Sequence, residues 1–152
     1  MATKNTQRTA SAPKSGKTPR RLKYYLVQFS YTSEAWADLL RDETKRDRIA
    51  AAKPIVEALG GCFPEIVFPC EYPPVVQEGK WASFGDHDVV ALLAFPSDRA
   101  AAAFAMTVSQ GHGVKSFKTT PLLSWDDARA AMGDAAGQIA TYHPPGGRVS
   151  RR

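Results

Sequence analysis

A histidine between two carboxylates is the part of this 152-residue sequence best suited to chemistry. Asp86, His87 and Asp88 follow Gly85 and lead into an apolar run that ends at Phe95. Histidine titrates near neutral pH, so His87 is the candidate general base, with Asp88 in support. Side chains alternate along a strand, which separates His87 from both aspartates unless a bulge follows Gly85, so no metal site is predicted. The structural alternative is that the carboxylates bind backbone amides in a turn while His87 packs.

Aromatic side chains form the second group of candidates. Tyr25, Phe29 and Tyr31 share one face of a predicted strand, where they line either a pocket for an aromatic ligand or an ordinary core. Trp81 and Phe84 follow a proline-rich stretch, as a lid over such a pocket or as contacts that hold the loop. The glycine-flanked His112 flanks the same pocket or lies on the surface. The candidate ligand-binding residues are Tyr25, Phe29, Tyr31, Trp81, Phe84 and His112.

Several kinds of site are missing from the sequence. It contains no glycine-rich phosphate loop, no nucleophile elbow and no His/Cys spacing typical of a metal site, so no cofactor is predicted. Cys62 and Cys70 fit neither a CxxC redox pair nor a zinc half-site. Two free thiols in a reducing cytoplasm are the simpler interpretation, and a disulfide across the proline-rich turn is the alternative.

The net charge of +5 belongs to the two ends of the chain. Residues 1–23 and 148–152 hold ten of the 20 basic residues and no acidic residue, which leaves ten against all 15 acidic residues and a body of net −5. Basic tails on an acidic body permit weak contact with nucleic acid, but no aromatic residues accompany these charges, which favours a solvated extension. No apolar run is long enough to cross a membrane, and no secretory signal is present, so a cytoplasmic protein is predicted.

Alternating apolar patterns predict the order βαββαβ. That order is typical of a ferredoxin-like α+β fold, a four-stranded antiparallel sheet with helices on one face. The predicted strands are 24–31, 62–68, 86–95 and 114–120; the predicted helices are 34–41, 45–59 and 99–110, with a short helix after Ser124; 69–81 is predicted as a long loop or an irregular extension of a hairpin. The domain prediction is a disordered basic tail at 1–22, a folded domain at 23–132 and a flexible tail at 133–152. A second subunit is expected to cover the face without helices.

Short motifs in a fixed order suggest a family. They are YLV at 25–27, SYT at 30–32, LGG at 59–61, FGDHDVV at 84–90, an alanine-rich helix and KTTPLL at 118–123. With them the chain resembles the GYD-domain family of the dimeric α/β-barrel superfamily over about residues 23–132. The resemblance implies a homodimer whose two sheets face each other across a shared barrel, and it implies no activity. His87 stands where the family usually has tyrosine, and the loop at 69–83 is longer than in the family.

Two functions remain open at this stage. The first is a cytoplasmic, homodimeric GYD-like domain that binds a small, aromatic molecule in the space between the facing sheets and catalyses no reaction. The alternative is a cofactor-independent enzyme of the oxygenase or isomerase type, with His87 as general base and Asp88 supporting it. The fold alone does not choose between them.

Overall fold

The structure, a computed structural model, describes residues 21–70, 73–83, 85–143 and 145. This part of the chain contains six strands and four α-helices. Two short 3-10 turns, Glu43–Lys45 and Ile139–Thr141, accompany the regular elements. The strands and α-helices, in chain order, are β1 (Lys23–Tyr31), α1 (Ser33–Arg41), α2 (Arg48–Ala58), β2 (Glu65–Phe68), β3 (Val75–Glu78), β4 (Lys80–Ala82), β5 (Val89–Phe95), α3 (Asp98–Ser109), β6 (Val114–Leu122) and α4 (Trp125–Gln138).

Four strands form one antiparallel sheet in the order β4-β5-β1-β6. Val27 at the middle of β1 lies opposite Ala91 of β5 on one side and Thr119 of β6 on the other. β1 is rich in aromatic and β-branched residues, which suit a central strand. The predicted α+β class with a four-stranded antiparallel sheet is therefore confirmed, and the strand order is compatible with a ferredoxin-like fold.

The edge strand of this sheet is interrupted by a hairpin. Cys62 exchanges backbone hydrogen bonds with Ala94 of β5, and the chain then leaves the sheet. It returns at Gly79, whose carbonyl oxygen accepts from the Leu92 amide, and continues as β4. The Gly79 amide donates to the Pro64 carbonyl oxygen over 2.9 Å, which closes the base of the excursion.

Strands β2 and β3 pair with each other as a separate two-stranded sheet within that excursion. The prediction of one strand at 62–68 in the main sheet was therefore wrong, although a strand does begin after Pro64. The segment 69–81, predicted as a long loop or an irregular extension of a hairpin, contains β3 and the first two residues of β4. A proline cannot donate to a strand ladder, and Pro64 lies at the point where the chain leaves the edge. Both differences have the same cause. The edge strand of the main sheet is built from two separate segments, one at Cys62 and one that includes Lys80.

The core lies between one face of the sheet and the helices. Tyr25, Val27, Leu93 and Phe95 point to this face, because side chains alternate along β1 and β5. Val56 of α2 and Ala101 and Phe104 of α3 pack against them. Full burial of each large apolar side chain contributes about 1.5–3 kcal/mol, so this cluster holds α2 and α3 on the same face.

A side-chain oxygen accepts from a backbone amide at the start of each of the four α-helices. The sequence predicts Thr32 or Ser33 as the cap of the first helix and Ser124 as the cap of the last. Thr32 accepts from the Ala35 amide at the start of α1, and Ser124 accepts from the Asp127 amide at the start of α4. Pro54 lies within the predicted helix at 45–59, where a proline is expected to kink or divide a helix; α2 is not divided there. α4 continues past Met132 to Gln138, although the composition predicted fraying there.

The opposite face of the sheet carries no helix of the core cluster. Tyr24 is 48% exposed and Leu122, its partner across the sheet, is 40% exposed on this open face. Within the described part of the chain, no helix is long and apolar enough to cross a membrane. Nearly all of the predicted basic tail at 1–22 and the C-terminal arginines lie outside the described residues.

Candidate functional site

A cleft of about 720 Å³ separates part of the helix-covered sheet face from α1 and α2. We call it the sheet–helix cleft. Strands β1, β5 and β6 form one wall, and α1, α2 and the turn between them form the other. The strand side includes Val27, Phe29, Tyr31, Val89, Ala91 and Phe117, and the helix side includes Ala35, Trp36, Leu39, Ile49, Ala52 and Ile55.

Stacked aromatic rings give the strand side of the cleft its shape. The rings of Phe29 and Phe117 stack with their centroids 5.7 Å apart and their planes 10° apart. Tyr31 meets Phe29 edge-on at 5.3 Å, and Trp36 of α1 meets Tyr31 in the same manner at 5.3 Å. These arrangements are the ones that aromatic pairs prefer, so the row is an ordered apolar surface.

Asp88 connects the cleft's two sides. Its Oδ2 accepts hydrogen bonds from the Tyr31 amide at 2.8 Å and from Trp36 Nε1 at 3.0 Å. Both donors come from elements beside the cleft, whereas Asp86 is exposed and only its backbone carbonyl accepts, from the Ser30 hydroxyl. The two aspartates next to His87 therefore have different surroundings.

His87 lies outside the sheet–helix cleft. β5 begins at Val89, so residues 86–88 form a bend before the strand and the strand alternation assumed from the sequence does not apply. Nδ1 of His87 is buried and has no hydrogen-bond partner among the described residues. The Asp88 carboxylate bonds to Trp36 and Tyr31 instead of His87, and the catalytic role of His87 stays a prediction.

Charged side chains gather where the turn between α1 and α2 borders the cleft. Lys45 pairs with Asp38, Arg46 donates to the backbone carbonyls of Leu39 and Leu40, and Lys80 of β4 pairs with Glu78. Together with Arg48, these three basic residues border the cleft. The cleft therefore combines apolar walls with a polar end.

Tyr31 is the most buried of the polar residues that line the cleft. Burial raises the pKa of its phenol, and the guanidinium of Arg48 nearby acts in the opposite direction. The hydroxyl therefore stays protonated at neutral pH and remains a hydrogen-bond donor. Arg48 is the first residue of α2 and the last of the charged run 42–48, which the sequence indicates to be a solvated turn or an exposed first helical turn.

The predicted ligand-binding residues are distributed unevenly. Phe29, Tyr31 and Trp81 border the cleft. Tyr25 is buried in the core, where its hydroxyl donates to Asp98 over 2.7 Å. His112 is exposed, with a positive φ of 56°, and does not line the cleft, and Phe84 lies outside the described residues. Sequence reasoning missed Trp36 and Arg48. Trp36 fits the apolar face of the predicted helix at 34–41, and Arg48 belongs to a run of charged residues typical of a solvent-exposed segment.

The described residues contain no candidate metal site. No group of three His, Cys, Asp or Glu side chains there is arranged to hold a metal ion. Cys62 and Cys70 are both free and exposed.

The chain matches no family model, and neither a curated protein nor a solved structure matches it significantly. The geometry of the cleft is therefore the basis for assigning a function.

Proposed function

We propose that this protein is a small-molecule-binding domain and that the sheet–helix cleft is its site. The observation that carries the proposal is the cleft itself, about 720 Å³ with an ordered aromatic wall. Sites for small organic ligands typically measure about 300–1,000 Å³, with mostly apolar walls and a few polar groups. A ligand with an aromatic ring suits the Phe29 and Phe117 surface, which offers further stacking.

The proposed site lies on a different face from the one expected. The sequence-based hypothesis places a ligand between the facing sheets of a dimer, whereas the sheet–helix cleft lies on the helix-covered face of a single chain. Phe29 and Ala91 point into it from the strands, and Ile55 faces them from α2. Ligand binding in this proposal therefore needs only one copy of the chain.

A homodimer remains part of the proposal, as does membership of the GYD-domain family. The open sheet face supports it, because Tyr24 and Leu122 leave apolar surface exposed there. Contiguous exposed apolar surface on a sheet is typical of an interaction site. Trp125 and Met132 of α4 are also exposed, which adds apolar surface next to the end of β6.

The enzyme alternative has less support. A general base needs to reach the substrate within hydrogen-bond distance or through one water. His87 does not line the sheet–helix cleft, and the Asp88 carboxylate that was to support it bonds to Trp36. Binding without chemistry is therefore the better account of the cleft.

Fluorescence titration with N-phenyl-1-naphthylamine, an uncharged aromatic probe, tests the proposal. We expect saturable binding, weakened at least tenfold by Ala52→Phe, because Ala52 lines the cleft and a phenyl ring there occupies the space. Ala102→Phe on the exposed side of α3 is the matched control and should leave binding unchanged. Circular dichroism checks that both variants fold. Absence of saturable binding to the native protein, or equal binding by the two variants, contradicts the proposal.

A further inference from the structure

Arg48 differs from the other basic residues at the cleft. Lys45 and Lys80 are paired with carboxylates, and Arg46 is engaged by two backbone carbonyls. The Arg48 side chain makes neither an ion pair nor a hydrogen bond that meets ordinary geometry within the described part of the chain. A guanidinium offers five N–H donors in a planar fork, so Arg48 presents unused donors at the cleft.

The Tyr31 hydroxyl is a second unused donor at the same place. Tyr31 is only 9% exposed, and its hydroxyl forms no hydrogen bond of ordinary geometry with a described residue. Its electrostatic environment is set partly by Arg48, whose guanidinium faces the phenol. A ligand whose anionic group accepts from this hydroxyl therefore gains a hydrogen bond beside the Arg48 guanidinium.

The acidic residues beside the cleft do not oppose an anion strongly. Asp38 is paired with Lys45 and Arg41. Asp47 accepts from the Ala50 amide at the start of α2, and Asp88 Oδ2 accepts from two N–H donors. Each of these carboxylates already has a partner, whereas the Arg48 guanidinium has no ion-pair partner within the part of the chain that the structure describes. The local balance at the polar end therefore favours a negative group.

We propose that the sheet–helix cleft binds an aromatic molecule that carries one anionic group, a carboxylate or a sulfonate, and that Arg48 and the Tyr31 hydroxyl hold that group. The aromatic part of the ligand lies against Phe29 and Phe117, and the anion accepts from the guanidinium and the phenol. Charge-assisted hydrogen bonds of this kind are shorter and stronger than neutral ones. This assignment of ligand class rests on the proposed function of the cleft.

Two probes with the same aromatic skeleton separate the two proposals. The anionic probe is 8-anilino-1-naphthalenesulfonate, and N-phenyl-1-naphthylamine is its uncharged counterpart without the sulfonate. Both are titrated into the native full-length chain and into Arg48→Gln, Tyr31→Phe and Arg99→Gln. Arg99 is exposed on α3 and does not line the cleft, so its variant is the matched loss of one guanidinium.

We expect Arg48→Gln to weaken the sulfonate probe about fivefold and the uncharged probe less than twofold, because an exposed guanidinium is partly screened by water. Tyr31→Phe should act in the same direction, and Arg99→Gln should change neither affinity. Equal effects of Arg48→Gln on both probes, or no effect on either, overturn the ligand class and leave the binding function standing. If Ala52→Phe reduces the affinity of neither probe, the cleft is not the site and both proposals fail.

Discussion

Trp36 Nε1 donates a hydrogen bond to Oδ2 of Asp88 over 3.0 Å, and this bond connects α1 to the bend that precedes β5. The same oxygen accepts from the amide of Tyr31, the last residue of β1, at 2.8 Å. One carboxylate oxygen therefore joins both sides of the cleft at its polar end. Loss of this carboxylate would leave both N–H donors without their acceptor.

Replacement of Asp88 by alanine should lower the free energy of unfolding by about 1–3 kcal/mol, because a backbone amide and an indole N–H both lose their acceptor. Trp36→Phe removes only one of the two donors and should cost less in hydrogen bonding. Urea unfolding monitored by circular dichroism measures both. Asp86→Ala is the control, since the Asp86 side chain is exposed and makes no hydrogen bond with the described residues. Equal stabilities of Asp86→Ala and Asp88→Ala are incompatible with this account.

Local features of the fold could be predicted from the sequence. Thr32 and Ser124 begin their helices as expected, because a hydroxyl that accepts from an amide three residues ahead is a local interaction. Gly60 adopts φ +74° at the end of α2, where a helix C-terminus commonly requires glycine. Alternation along β1 likewise placed Tyr25 and Tyr31 on the buried face.

Non-local features could not be predicted in this way. One edge strand is built from two separated segments, because Cys62 pairs with Ala94 and Lys80 pairs with Ala91. No local sequence pattern indicates that these two segments lie along the same edge. The cleft could not be predicted either, because a binding role for Arg48 depends on its position near Tyr31 in the folded chain. The charged run 42–48 is locally indistinguishable from any solvated turn.

The hairpin at 64–78 should be removable without loss of the sheet. Phe63 and Gly79 occupy successive positions beside Leu93 and Leu92, so joining them directly restores a continuous edge strand. The deletion removes Ile66, whose side chain lies close to Gly79, and we expect a decrease of roughly 1–2 kcal/mol in the free energy of unfolding. Cooperative urea unfolding and native near-UV circular dichroism measure the outcome. A chain that loses cooperative unfolding would show that the hairpin belongs to the core.

Asp98 should make stability depend on pH in the acid range. Hydrogen bonds from Lys23 and Tyr25, each 2.7 Å long, hold the pKa of its carboxyl below the ordinary value of 3.8. A lowered pKa in the folded state contributes stability above the unfolded value, and this stability is lost as the pH falls through the folded value. The difference in urea midpoint between wild type and Asp98→Asn should therefore be present at pH 6 and close below about pH 3.8.

The hydrogen-bonded pair of Tyr25 and Asp98 should also make stability depend on pH in the alkaline range. Burial, with the hydrogen bond to Asp98, raises the pKa of Tyr25 to about 12. A raised pKa favours the neutral phenol in the folded state, so its contribution is complete below pH 10 and is lost as the pH rises through about 12. The same urea series extended to alkaline pH checks this limit, and Tyr25→Phe should remove it. A midpoint difference between wild type and Asp98→Asn that is constant from pH 2 to pH 7 contradicts the acid limit.

The open sheet face should bind a second copy of the chain. Tyr24 and Leu122 face each other across β1 and β6 on this side, and their exposed apolar surface is lost from water when two sheets pack together. We expect sedimentation at micromolar concentration to give twice the mass of one chain. Leu122→Glu should shift the protein to monomer, because a carboxylate buried in an apolar interface lacks a partner. Met106→Glu is the control, since Met106 is 72% exposed on α3, away from this face. A wild-type monomer, or a Leu122→Glu dimer of unchanged affinity, would show that the open face has another role.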